Sequence, residues 1–133
     1  MSLMLDTHVL IWWLHDLSDR LNESQRAALG DAGKGQAPLM LSAITLWEIA
    51  MLVERRRLFI AKTLDQLLEG IQSHPLLQIL PLTTAIAAES VRLGEGFHKD
   101  PADQIIVATA RCHGLTLITA DERIRKWGKV NLV

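Results

Sequence analysis

Short apolar runs alternate with longer stretches of helical period along this chain. Residues 2–5, 38–41 and 77–80 are each four residues long, 115–119 is five, and a shorter run follows at 130–132. Runs of this length, bounded by turn signals, read as strands. Between them the period changes. Residues 8–15 read as a helix with Asp6 or Thr7 as its cap. Asn22 followed by Gln25 is a capping-box pattern and opens a helix to about Ala32, where Gly33 and Gly35 are expected to break it. Ser42 is placed to cap a long helix from Ala43 to about Arg56. Residues 63–72 are amphipathic, with Leu64, Leu67, Leu68 and Ile71 on one face. Residues 84–93 predict another helix, and Gly94 and Gly96 a loop. Asp100 then caps a helix that begins with Pro101 and ends at Gly114. Residues 121–126 make one or two further turns.

Strands alternating with helices predict an α/β domain with a parallel sheet covered on both faces. In such sheets the chemistry gathers just beyond the carboxyl ends of the strands. Asp6 follows the first strand, and Asp121 follows the run "LTLIT".

At 133 residues, one domain spanning 1–133 is expected, with length enough for a real core. A composition of 49% hydrophobic and 22% charged residues is that of a globular chain. The apolar run at 9–14 is too short to cross a membrane. No basic segment precedes it and no small-residue cleavage site follows, so a cytoplasmic protein without a secretory leader is expected. The single Cys112 excludes an internal disulfide and any multi-cysteine zinc site. A net charge of −1 means that nucleic acid, if bound, is met by a local patch.

Four acids stand in apolar surroundings. Glu48 is the only charged side chain between Gln36 and Val53, with Ile44, Thr45, Met51 and Leu52 as its helical neighbours. Asp6 is the only acid or base, histidines aside, in the first fifteen residues. Asp103 opens a run without another charge as far as Ala110, and Asp121 sits beside Glu122 and Arg123 in a wetter setting. Each has a plain structural role open to it. Asp6 can cap a helix, Glu48 can pair with Arg92 or Arg111, Asp103 can face the positive end of a helix dipole, and Asp121 can be a turn residue. Convergence is the other reading. Two carboxylates about 4 Å apart repel by roughly 4 kcal/mol at an effective dielectric near 20, so a cluster calls for a cation. All-oxygen ligands suit a hard ion, Mg²⁺ or Mn²⁺. Repulsion among like charges is then expected to raise the carboxyl pKa values.

The segments "MLDTHVLIWWL", "SAITLWEIAML", "KDPADQIIVATA" and "LITADERI" resemble the four acidic segments of PIN-domain ribonucleases. They are most similar to the VapC-like toxins of type II toxin–antitoxin pairs, and the likeness covers nearly the whole chain. It implies a parallel sheet of order 3-2-1-4-5, with Asp6, Glu48, Asp103 and Asp121 as metal-binding catalytic acids. Asp100 is an auxiliary acid of the "DPAD" variety, and Thr119 matches a position that often carries Thr or Ser. The resemblance also implies Mg²⁺ or Mn²⁺, an RNA substrate, a homodimer and a small antitoxin partner.

The mechanism expected is metal-assisted hydrolysis of an RNA phosphodiester. Arg55, Arg56, Arg57, Arg123 and Arg125 are candidate RNA contacts, although a solvated helix end is the favoured reading of the first three. The five histidines show no metal-ligand spacing, and Trp12, Trp13 and Trp47 read as core or interface rather than as base-stacking platforms. Two other classes remain open. A haloacid-dehalogenase-like phosphatase needs a second acid two residues after the first, where this chain has His8. A non-catalytic dimerising module would use its acids only as helix caps.

Overall fold

Leu3, Met4 and Leu5 are all buried, and they divide between two cores. Leu3 and Leu5 join one apolar cluster with Leu10, Leu41 and Ile49, while Met4 joins the other with Ile106 and Leu117. Side chains alternate across a strand, so a strand apolar at every position is covered on both faces. This strand, β1 (Leu3–Leu5), lies at the centre of the sheet.

The computed structural model describes residues 2–35 and 37–133. After β1 come α1 (Thr7–Leu14), a single 3₁₀ turn at Ser18–Arg20 and α2 (Glu23–Lys34). Next are β2 (Leu39–Ser42), α3 (Ala43–Glu54), α4 (Leu64–Gln72), β3 (Leu77–Leu80) and α5 (Thr84–Ser90). The last are α6 (Pro101–His113), β4 (Thr116–Ile118) and α7 (Glu122–Trp127). The strands pair in parallel in the order β3-β2-β1-β4. Among the described residues no helix is long and apolar enough to cross a membrane.

The expected fifth strand is reduced to one bridge, Leu117 to Leu132. The Leu117 N–H donates to the Asn131 carbonyl at 2.8 Å, and the Val133 N–H donates to the Leu117 carbonyl at 3.3 Å. The cause is the length of β4. The Thr116 N–H and the Ile118 carbonyl are turned to the β1 side, to Ser2 and Asp6, so only Leu117 faces outward. The order is therefore 3-2-1-4, with the fifth place marked by a single residue pair.

Two helix ends also differ from expectation. α2 runs through Gly33 and stops at Gly35. A helical glycine costs about 1 kcal/mol relative to alanine but clashes with nothing, so the capping box at Asn22 and Gln25 carries the helix past it. α5 ends at Ser90 rather than near residue 93. Leu93 is buried beyond the helix, and the chain turns through Gly94 and Gly96 at φ of 92° and 90°.

Candidate metal and phosphate site

Asp6 stands where β1 ends and α1 begins. Its Oδ1 accepts the Val9 N–H at 2.9 Å, so it is the N-cap of α1. Its Oδ2 accepts the Thr119 hydroxyl, which crosses from the end of β4. The same Thr119 oxygen accepts the Asp121 N–H at 3.0 Å. Asp121 caps α7 in turn, accepting the N–H groups of Arg123 and Ile124. Two neighbouring parallel strands thus deliver two acids to one rim, tied by one hydroxyl.

Glu48 reaches the rim from α3. The Thr7 hydroxyl donates to its Oε1, and Thr45 Oγ1 lies 3.1 Å from that hydroxyl. The alternative pairing with Arg111 is not made, because Arg111 lies 3.5 Å from Glu89. α6 supplies Asp100 and Asp103 with separate tasks. Asp100 accepts the Asp103 N–H at 3.1 Å and caps the helix, which frees the Asp103 carboxylate to face the cavity. The acids Asp6, Glu48, Asp100, Asp103 and Asp121 line one cavity of about 270 Å³.

Burial dominates the electrostatics. Desolvation pushes Asp6 up to about 6, against the hydrogen bonds from Thr119 and Val9 that pull it down. Burial also raises Glu48, against the bond from Thr7, with the charges of Asp103 and Asp100 adding to the rise. Asp103 is raised for the same reason, against its bond to His98. Repulsion between acids is present but ranks behind burial in all three, a correction to the expected cause. Asp121 moves the other way. Its partial burial is outweighed by hydrogen bonds from the Arg123 side chain and from the Ile124 and Arg123 N–H groups, so its pKa falls.

Of the five arginines considered as substrate contacts, Arg123 alone lines the cavity. Its guanidinium lies 3.0 Å from Asp121 Oδ2 and 3.7 Å from Asp103 Oδ2. Arg125 Nη1 lies 3.2 Å from both the Thr119 and Val133 carbonyls, which fastens the end of β4. Arg55, Arg56 and Arg57 are exposed beyond the end of α3 and line none of this cavity.

His98 was not singled out by spacing, yet its Nε2 lies 2.6 Å from Asp103 Oδ2. The signal for it is faint: it stands two residues before the N-cap of α6, where the chain passes over the first turn. His98, Asp103 and Asp121 each offer a ligand atom within 4.8 Å of the others. Asp6 and Glu48 line the same cavity outside that tight group. Mostly carboxylate oxygens, with little positive charge to offset them, fit a hard divalent cation. The Arg123 guanidinium already brings one positive charge to the spot where two of those carboxylates approach.

A parallel sheet with acids gathered past the carboxyl ends of β1 and β4 defines a class, and the comparisons agree with it. The PIN-domain family model matches residues 3–130, and the chain belongs to that family. Ribonuclease VapC22 of Mycobacterium tuberculosis is 34% identical over 124 residues, covering 93% of this chain and 90% of that protein. Among solved structures, FitAcB from Neisseria gonorrhoeae is similar, with 26% identity and a TM-score of 0.62 over 98% of this chain and 96% of that one. VapBC2 from Rickettsia felis, solved with a DNA fragment from the promoter, shares the fold at 18% identity, with a TM-score of 0.71 over 100% of this chain and 98% of that one.

Proposed function

We propose that this protein is a metal-dependent endoribonuclease that hydrolyses RNA phosphodiester bonds, and that it is the toxin of a toxin–antitoxin pair. The observation that carries the reading is the convergence of Asp6, Glu48, Asp103 and Asp121 on one cavity, with the first three raised by burial. The relative at 34% identity bears the name ribonuclease, which supports RNA as the substrate. A cognate antitoxin and a homodimer are part of the proposal.

Asp6, Asp103 and Asp121 are the acids that would hold Mg²⁺ or Mn²⁺, with Glu48 beside them. A divalent cation, when bound, supplies charge for the phosphodiester oxygens and lowers the pKa of water. The chain's own groups do the rest. Asp103 presents its carboxylate because Asp100 has taken over the capping. Thr119 holds Asp6 in place, and Thr7 fixes one oxygen of Glu48, leaving the other to take a proton from the attacking water. Arg123 balances Asp121 and reaches toward Asp103, within range of a substrate phosphate.

The non-catalytic reading draws on one observation: Asp6, Asp100 and Asp121 all cap helices. Glu48 and Asp103 cap no helix, which supports the catalytic reading. The test is to incubate purified protein with structured RNAs in Mg²⁺, Mn²⁺ or EDTA and to map the cut sites. Cleavage that needs the metal and fails in Asp103→Asn is expected. Cleavage that survives both EDTA and that substitution would sink the proposal.

A further inference from the structure

Four tryptophans serve this small domain, and three of them stand away from the acid cavity. Trp13 packs against His74 with ring centroids 5.2 Å apart. Trp127 meets Phe97 edge-on at 4.9 Å in the second core. Trp47 is 55% exposed on α3 and lines none of the acid cavity. Trp12 differs from all of them. It packs partly on the larger core and also lines the cavity that holds the four acids. His8, one turn earlier on α1, lines the cavity beside it, with ring centroids 6.2 Å apart. The Arg20 guanidinium carbon lies 5.8 Å from the Trp12 ring centroid, and Arg20 is exposed.

The juxtaposition is chemically pointed. A phosphate drawn to the acid and metal end of the cavity carries a ribose and a base on either side. The base nearest it needs a surface, and every base has a flat π-face that an indole can cover whatever the sequence. Arg20 lies over the indole as an exposed cation, and a base taking its place on the ring would leave it to meet the following phosphate. We propose that Trp12 is the platform on which a nucleobase flanking the scissile phosphate stacks, with Arg20 taking a neighbouring phosphate. This rests on the ribonuclease reading of the same cavity and adds to it a ligand, an unpaired single-stranded base. It also revises the assignment of Trp12 to core or interface alone.

The test uses the full chain and short fluorescein-labelled single-stranded RNAs of mixed sequence, intact or with one abasic ribose at each position in turn. Anisotropy is read in EDTA and in Ca²⁺, and cleavage in Mg²⁺. Trp12→Leu keeps apolar bulk against the core and removes the π-face, whereas Trp12→Phe keeps a smaller one. Circular dichroism confirms that each variant is folded. Trp12→Leu is expected to lose about 5- to 150-fold in affinity, and Trp12→Phe less. One abasic position should cost wild type a similar factor and cost Trp12→Leu nothing further. Arg20→Ala should weaken binding and flatten its salt dependence. Wild-type cleavage together with unchanged binding and cutting by Trp12→Leu overturns the platform and leaves the ribonuclease reading standing. The same holds if Trp12→Leu alters only the inhibition by a partner protein, which would make this wall a protein contact. A wild type that neither binds nor cuts RNA overturns both.

Discussion

Asp6 directly follows β1, and Asp121 lies three residues beyond the end of β4, on adjacent parallel strands. Both cap the next helix, and both meet the Thr119 hydroxyl, Asp6 accepting from it with a carboxylate oxygen and Asp121 donating to it with its backbone N–H. Their charge states nevertheless diverge. Asp6 is 6% exposed and is pushed up to about 6, while Asp121, its side chain 23% exposed with Arg123 across it, is pulled below the ordinary value. The lesson is that capping does not set the charge of a carboxylate. What sets it is whether water or a cation can reach the oxygens that capping leaves over. One cavity thus has a half that is readily neutralised and a half that stays anionic.

The largest effect expected is on catalysis, and it tests whether the two halves share the work equally. Asp6→Asn and Asp103→Asn should each lower RNA cleavage at least about a hundredfold, since even outer partners of metal ligands cost 10–100-fold. Asp121→Asn, on the half that Arg123 already serves, should cost about tenfold. Rates are measured on one RNA under single-turnover conditions. Equal losses at Asp6 and Asp121 would erase the contrast.

The second effect is on stability. Asp6 has a native pKa of about 6 against an ordinary 3.8, so between these values the native state binds the extra proton. Stability of the metal-free protein therefore falls as pH rises from about 4 to about 6, by roughly 3 kcal/mol, and levels off above. Glu48 and Asp103, also raised, push in the same direction. Asp121, lowered, works in the opposite sense and only at lower pH, where its stabilisation is lost as pH falls through its folded pKa. Thermal melts should show a higher Tm at pH 5 than at pH 7.5, with saturating Mg²⁺ or Mn²⁺ closing most of the gap. Asp6→Asn, which still caps α1, should flatten the profile. A metal-free profile that rises toward pH 7.5 would reverse the sign assigned to the Asp6 half.

A smaller change is expected at the link between the halves. Thr119→Val keeps the shape but leaves a buried Asp6 oxygen unpaired, at a cost of about 1–3 kcal/mol. Chemical denaturation measures this, and an unchanged midpoint would mean that the two acids are positioned independently. The smallest effect belongs to Arg123→Ala. The side chain is 62% exposed, so removing it should change Mn²⁺ affinity by no more than about fivefold, in the direction of tighter binding. Calorimetric titration reads this directly, and weaker binding would make Arg123 a support of the site instead of a competitor.

Local chemistry explains what the chain disclosed in advance. The capping box at Asn22, the Asp100–Pro101 helix start and the Gly114 stop depend on residues within a few positions, and all three appear in the fold. Glu48 stood out because an acid among apolar neighbours needs a reason. Contacts made only by distant pairing left no such trace. Thr7 holds Glu48 across 41 residues, and even the near pair His98 and Asp103, five residues apart, meets through a loop conformation that the apolar pattern does not record. Arg123 reads as a candidate RNA contact beside a wet acid, and in the fold it lines the cavity while its side chain stays exposed. The fifth strand failed for a reason no apolar pattern records, namely that a three-residue β4 has one outward-facing pair of backbone groups.

The bond from Thr119 to Asp6 spans 113 residues and joins the first strand to the last of the four. Order of synthesis therefore bears on activity. A ribosome delivers Asp6, Glu48 and Asp103 while β1 still has an open edge, and the rim closes only when β4 emerges and pairs there. Because closing so long a loop carries its entropy cost before any contact repays it, this pairing belongs late in folding. A chain made only as far as α6 thus holds Asp6, Glu48, Asp100 and Asp103 without the strand whose pairing brings Thr119 to Asp6.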